Sequence, residues 1–144
     1  MISSYLRINI ILPDKFRKFL EKMTIQSNIS KIFNIQYPII SGGMVWVSGW
    51  RLASAVSENG GLGLIGAGSM KPDLLREHIR KCRAATSKPF GVNLPQLRKD
   101  ISSLIDVVID EKIEIIFTSA GHPGKHIEQL KSSGASCCTC GLKY

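Results

Sequence analysis

The sequence predicts an α/β fold built on a parallel sheet, and three observations predict it. Short apolar runs alternate with amphipathic windows from residue 36 onward, Gly or Pro marks most junctions, and the runs begin near residues 37, 62, 90 and 115. The starts lie 25, 28 and 25 residues apart, which is room for a strand, a helix and two short connections. Right-handed βα units follow. Two architectures accommodate four of them: an open doubly wound sheet, finished at about five strands, or a (β/α)8 barrel of about 250 residues met only to its midpoint.

Each element has its own signal. Tyr37-Pro38-Ile39-Ile40 reads as the first strand, ending at Ser41-Gly42-Gly43. The helix after it carries Leu52, Ala55 and Val56 on one face, and Asn59-Gly60-Gly61 closes it as a C-terminal cap. Leu62-Gly63-Leu64-Ile65 is the second strand, followed by the turn Gly66-Ala67-Gly68-Ser69. Pro72 opens the second helix, with Asp73 complementing the dipole and Leu75, Ile79 and Cys82 at helical spacing. Its other face, Arg76, Arg80, Lys81 and Arg83, reads as a solvated surface. Phe90 to Leu94 is the third strand. Asp100 is the expected cap of a third helix whose Ile101, Leu104, Ile105, Val108 and Ile109 form the clearest 3.6-residue stripe. Ile115 to Thr118 is the fourth strand, and Ile127 and Leu130 belong to a fourth helix that Gly134 ends.

After Gly134-Ala135 a buried fifth strand should be rich in Val, Ile and Leu, yet the chain reads Ser136-Cys137-Cys138-Thr139-Cys140. The expected strand is missing from the sequence pattern. Cysteine codons shifted by one base become Val or Leu codons, so residues 136–144 read as an aberrant tail, a frame-shifted version of that strand.

Composition narrows the function. The chain has 144 residues, 44% hydrophobic and 21% charged, which is enough to bury a core. No apolar run approaches the roughly 18 residues of a membrane span. The formal charge of +8 invites a nucleic-acid reading, but residues 1–30 contribute +3, residues 131–144 contribute +2, and the hundred between them only +3. Aromatic residues are not interleaved with the basic ones, so nucleic acid is not an expected partner, and without a long apolar run neither is a membrane. Cys137, Cys138 and Cys140 lack the paired spacing of structural zinc, so no metal is expected. Without a leader at Ile8–Leu12, the expected compartment is the cytoplasm, and the Asn28-Ile29-Ser30 sequon is a chance match.

Gly61-Leu62-Gly63-Leu64-Ile65-Gly66 matches the dinucleotide fingerprint, but it follows a helix and runs through a strand, the reverse of the required context. The strand ends are more informative. They carry Ser41-Gly42-Gly43-Met44, Gly66-Ala67-Gly68, Asn93 and Ser119-Ala120-Gly121-His122, small loops whose backbone can approach a flat ligand such as a flavin.

In order and spacing, Tyr37-Pro38-Ile39-Ile40, Gly42-Gly43-Met44, Ala55-Val56-Ser57, Gly60-Gly61-Leu62-Gly63, Ile65-Gly66-Ala67-Gly68, Lys88-Pro89-Phe90-Gly91-Val92-Asn93 and Ser119-Ala120-Gly121 resemble the FMN-dependent nitronate monooxygenases. These were formerly called 2-nitropropane dioxygenases, and the FMN-dependent enoyl-ACP reductases are close relatives. The resemblance spans about residues 30–134. It implies a TIM barrel that binds FMN at the strand ends, truncated here after about four βα units. It also implies that Gly42, Gly43 and Met44 lie against the isoalloxazine, that Asn93 contacts FMN, and that Gly121 lies in a loop near the ring. His122 departs from the pattern and reads as an exposed turn residue; His78 and His126 read as surface residues on helices.

The family reaction, as the resemblance implies it, passes an electron from a bound alkyl nitronate to FMN. Oxygen then combines with the organic radical, giving a carbonyl compound and nitrite. The family's catalytic histidine and phosphate loops belong to the second half of the barrel, beyond residue 144, so the isolated chain is expected neither to hold FMN tightly nor to turn over. Residues 1–22 read as an extension of doubtful status before a natural start at Met23, and residues 23–135 as the first half of the barrel. Enoyl-ACP reductase with NAD(P)H is the second reading, although those relatives tend toward Gly-Val-Asn-Ile-Met where this chain has Gly91-Val92-Asn93-Leu94-Pro95. A non-enzymatic remnant is the third.

Overall fold

The computed structural model describes residues 27–122, 124 and 126–139. The doubtful extension at residues 1–22, the start at Met23, Cys140 and residues 141–144 lie outside them. Helix α1 (Asn28–Phe33) begins where the Ser27 hydroxyl accepts the Ser30 N–H at 3.2 Å and ends at Asn34, left-handed at φ 53°. The order continues α2 (Trp50–Glu58), β1 (Gly63–Gly66), a 3-10 turn (Ala67–Ser69), α3 (Pro72–Ala85), β2 (Phe90–Pro95), α4 (Ile101–Asp110), β3 (Ile115–Ser119), α5 (Ile127–Ser132) and β4 (Ser136–Thr139).

All strand pairs are parallel and the sheet runs β1-β2-β3-β4 in chain order. Ile40 adds a parallel bridge to Leu62 ahead of β1. An open doubly wound sheet reverses its strand order at a switch point. Here the order never reverses, and the chain has the α/β barrel fold over the units it contains.

Strand residues alternate between two faces. Ile65, Val92, Leu94 and Ile116 face the helices and join Leu75, Ile79, Cys82, Leu104, Ile105 and Val108 in the main core. Full burial of each such side chain is worth about 1.5–3 kcal/mol. On the inner face Leu62, Leu64 and Ile115 pack with Phe33 and Ile35, and the Phe33 and Phe117 rings lie 5.9 Å apart. Helix α1 thus covers the inner face toward the N-terminal ends of the strands. The C-terminal ends are left for the site.

Several expectations need correction. The first strand shrinks to the Ile40 bridge because Tyr37–Ile39 makes a tight turn, with the Ile39 N–H on Tyr37 O at 2.7 Å. Beyond Leu62, the Ser41 hydroxyl takes the Leu64 N–H at 2.9 Å in place of the next backbone rung. The missing fifth strand is present: Ser136–Thr139 pairs with β3 from Ile115↔Ser136 to Thr118↔Thr139. Parallel pairing uses main-chain groups that any residue except proline supplies, so an unusual composition did not prevent it. Asp100 sits at the start of α4 but makes no capping bond, because its carboxylate is held by Arg98 at 2.8 and 2.6 Å.

The arginine face of α3 is not simply solvated. Arg76, Arg80 and Arg83 converge on Glu111, a buried carboxylate just past α4, at 3.1, 2.9 and 3.2 Å. Burial alone would raise the Glu111 carboxyl, but hydrogen bonds from Arg80 and Arg76 and the Arg80 charge outweigh it and hold the group below its ordinary value. His78 is half-buried, not a plain surface residue: its Nδ1 accepts the Trp50 N–H at 3.2 Å at the start of α2. Desolvation lowers its pKa, which keeps that nitrogen an acceptor.

Candidate functional site

The strand ends bring four of the five expected site residues together. Gly42, Gly43 and Met44 follow the Ile40 bridge, and Asn93 stands beside them near the end of β2, between Gly66 of β1 and Phe117 of β3. Register puts Asn93 on the inner face, away from the helices. Its Nδ2 donates to the Gly43 carbonyl at 3.3 Å. The contact is close enough to define the residue at 43: a Cβ there would lie 2.2 Å from Asn93 Cβ. Gly66 is equally constrained from below, since its Cβ would come within 2.7 Å of the Met44 carbonyl oxygen. Close packing against the Asn93 side chain and the Met44 carbonyl therefore accounts for glycine at 43 and 66, and it sets the Gly42–Met44 backbone as a ledge at the strand ends.

Gly121, the fifth expected residue, sits elsewhere on the rim. It adopts φ +148°, and its Cβ would lie 2.7 Å from Gln96 Cβ, so it packs on Gln96 rather than on Asn93. Gln96 is buried, donates Nε2 to Leu94 O at 3.2 Å, and leaves Oε1 without a partner among the described residues. His122 is exposed, its Nδ1 accepting the Gly124 N–H at 3.1 Å. His126 is half-buried at the start of α5 rather than on the surface, with Nε2 unpartnered among the described residues.

Two further residues, Ser48 and Arg98, organise this rim and carry no sequence signal of their own. Ser48 is buried and hydrogen-bonds the Gly42–Met44 loop through its hydroxyl. Arg98 spans two loops, donating Nη1 to Ala67 O at 3.1 Å and Gly68 O at 2.7 Å while its other nitrogens hold Asp100. Trp46 is exposed and holds φ 66°, and Ala120 holds φ 49°. Left-handed non-glycine residues cost of order 1–3 kcal/mol and cluster at sites. With Met44, Val45, Val47 and Leu97, Trp46 makes the rim apolar.

Elsewhere, a recess of about 360 Å³ opens at the opposite ends of the strands among Asn34, Arg83, Thr86, Lys88, Lys112 and Glu114, remote from every expected site residue. Among the described residues no group of three or more His, Cys, Asp or Glu could hold a metal, and no helix is long and apolar enough to cross a membrane.

The family model for nitronate monooxygenase matches residues 26–104. A (3aS,4S,5R,7aS)-5-hydroxy-7a-methyl-1-oxo-octahydro-1H-indene-4-carboxyl-CoA dehydrogenase from Mycobacterium tuberculosis is 33% identical over 113 residues, 78% of this chain and 32% of that protein. A probable nitronate monooxygenase from Staphylococcus haemolyticus is 44% identical over 72 residues, 50% of this chain and 20% of that protein. Among solved structures, FabK from Thermotoga maritima superposes with a TM-score of 0.78 at 42% identity, covering 81% of this chain and 37% of FabK. The chain spans about a third or less of the length of these curated relatives.

Proposed function

Because the chain belongs to the nitronate monooxygenase family of FMN-dependent oxidoreductases, we propose that its strand-end ledge receives the isoalloxazine of FMN and contributes to the oxidation of an alkyl nitronate by O2, giving a carbonyl compound and nitrite. The observation that carries this reading is the Gly43–Asn93 contact. It fixes the Gly42–Met44 backbone against Asn93 at the C-terminal end of the sheet's inner face, the place at which the family resemblance puts the flavin ring. When bound, FMN would supply the electron acceptor. Gly42, Gly43 and Met44 would support one face of the ring. Asn93 spends one N–H on Gly43 O and keeps Oδ1 for the ring's polar edge. Gly121 would contribute backbone from the neighbouring loop. The apolar rim of Met44, Val45 and Trp46 would limit water around the reacting carbon.

A titration of the protein with FMN, followed by flavin absorbance and fluorescence, tests the cofactor assignment. Saturable binding that Asn93→Ala weakens about tenfold, equivalent to ~1.4 kcal/mol, supports it; no saturable binding up to millimolar FMN overturns it. The substrate is tested by nitrite release from propyl nitronate in air with this segment joined to the second half of a related barrel, since no turnover is expected of the chain by itself.

The 42% identity to FabK favours a second reading, enoyl-ACP reduction with NAD(P)H. Pro95 at the end of β2, where enoyl reductase relatives tend to carry methionine, favours the first. Oxidation of NAD(P)H by an enoyl thioester, with no nitrite from the nitronate, would reverse the order.

A further inference from the structure

We propose that Ser48 is the positioning residue of the flavin-facing loop, acting through Gly42–Met44 without touching the ligand itself; the proposal rests on the FMN reading above. Four hydrogen bonds converge on this one residue. Its hydroxyl donates to the Gly42 carbonyl at 2.7 Å and accepts the Met44 N–H at 3.0 Å, so the hydroxyl proton has a single assigned direction. Its own N–H donates to Met44 O at 3.0 Å, and its carbonyl accepts the Gly66 N–H at 2.8 Å. The residue is 1% exposed. Ser48 therefore ties the loop after the Ile40 bridge to the end of β1.

The pattern of what is bonded matters more than the number of bonds. Gly42 O and both main-chain groups of Met44 are taken by Ser48, and Gly43 O is taken by Asn93. The Gly43 N–H finds no acceptor among the described residues. The Gly42 N–H is likewise unbonded among the described residues, so the loop is held from both sides with two neighbouring donors left over, one of them in the middle of the ledge. A fixed, unspent N–H costs nothing to reorient when a ligand acceptor arrives, which is the advantage of preorganisation. Without the Ser48 hydroxyl, Gly42 O and Met44 N–H must find other partners, and the ligand can become one of them.

Ser54 supplies the control. It lies nearby in the chain but inside α2, is also buried, and its hydroxyl donates to Arg51 O at 3.2 Å, away from the loop. The experiment measures the FMN dissociation constant by flavin fluorescence, the thermal midpoint, and amide hydrogen exchange for the unsubstituted protein, Ser48→Ala and Ser54→Ala. Ser48→Ala is expected to weaken FMN about tenfold and to quicken exchange at Met44 and Gly66 about tenfold. Ser54→Ala lowers the midpoint but leaves FMN affinity within twofold. If Ser48→Ala fails to fold, Ser48→Cys keeps the bulk, weakens both hydroxyl bonds and is expected to show the same losses in smaller degree. FMN binding by the Ser48 variant within twofold of the unsubstituted protein overturns the proposal. If the unsubstituted protein binds no FMN, the cofactor assignment fails, and exchange at Met44 and Gly66 still decides whether Ser48 holds the loop.

Discussion

Gly43→Ala is the substitution whose outcome the structure constrains most closely. The added Cβ would lie 2.2 Å from Asn93 Cβ and 2.7 Å from Asn93 Cγ. Ordinary carbon contacts begin near 3.5 Å, so the two segments must separate by about 1 Å. A rotamer change cannot relieve it, because a Cβ is fixed to its backbone. Overpacking of this kind costs typically ~1–3 kcal/mol, and an immovable partner places Gly43→Ala in the upper half of that range. The proof lies in the cycle with Asn93→Gly, which removes the obstructing atom. Urea denaturation of the two single variants and the double variant should show a favourable coupling of at least ~1 kcal/mol, the double being more stable than the sum of the singles. FMN affinity should not return in the double variant, since the Asn93 amide is gone. A Gly43→Ala protein within ~0.5 kcal/mol of the unsubstituted one, or a cycle that is additive, would refute the reasoning.

Leu104→Ala, in the middle of the helix-side core and fully buried, should cost about 2–5 kcal/mol in the same assay, whereas Leu97→Ala on the exposed rim should stay within ~0.5 kcal/mol. The Cys82 thiol, pushed up to about 12 by burial, should be unreactive toward a thiol reagent at pH 8 until denaturant is added. His78 has a folded pKa below its ordinary 6.5, so its contribution is complete above that pH and declines as pH falls through the window beneath it. Stability should therefore drop on acidification from pH 7, and His78→Asn should flatten the slope. Glu111, also lowered, stabilises above its ordinary 4.5 and loses that contribution as pH falls through its folded pKa; the stability gap to Glu111→Gln should be widest near neutrality and close in acid.

Much of the fold was legible because periodicity reports burial. Leu75, Ile79 and Cys82, and Ile101, Leu104, Ile105 and Val108, are all buried where the helical stripe places them. Spacing located β1, β2 and β3 to within a residue. Periodicity says nothing about main-chain pairing, however. The first strand looked apolar enough yet is reduced to one bridge by a turn and a serine hydroxyl, while Ser136–Thr139 looked wrong and pairs along its length. The site followed the same division. Gly43 and Asn93 could be named as candidates from their place at strand ends and from the family pattern, and the structure brings the two into contact, but Ser48 and Arg98 act through local hydrogen bonds that leave no repeat in the sequence. Glu111 was hidden because its three arginine partners lie 28 to 35 residues earlier in the chain.

The sequential strand order also bears on how the chain assembles. Each strand meets a neighbour formed immediately before it, with register partners 27, 24 and 21 residues apart at the three interfaces. Closing loops of such similar length costs nearly the same entropy each time, since doubling a loop adds only about 0.6 kcal/mol. No interface has to wait for a distant segment. The sheet can therefore grow during synthesis by adding one strand and its covering helix to an existing edge, and contacts this local favour rapid folding. Glu111, reached by Arg76, Arg80 and Arg83, then fastens the end of α4 to α3, the helix laid down just before it.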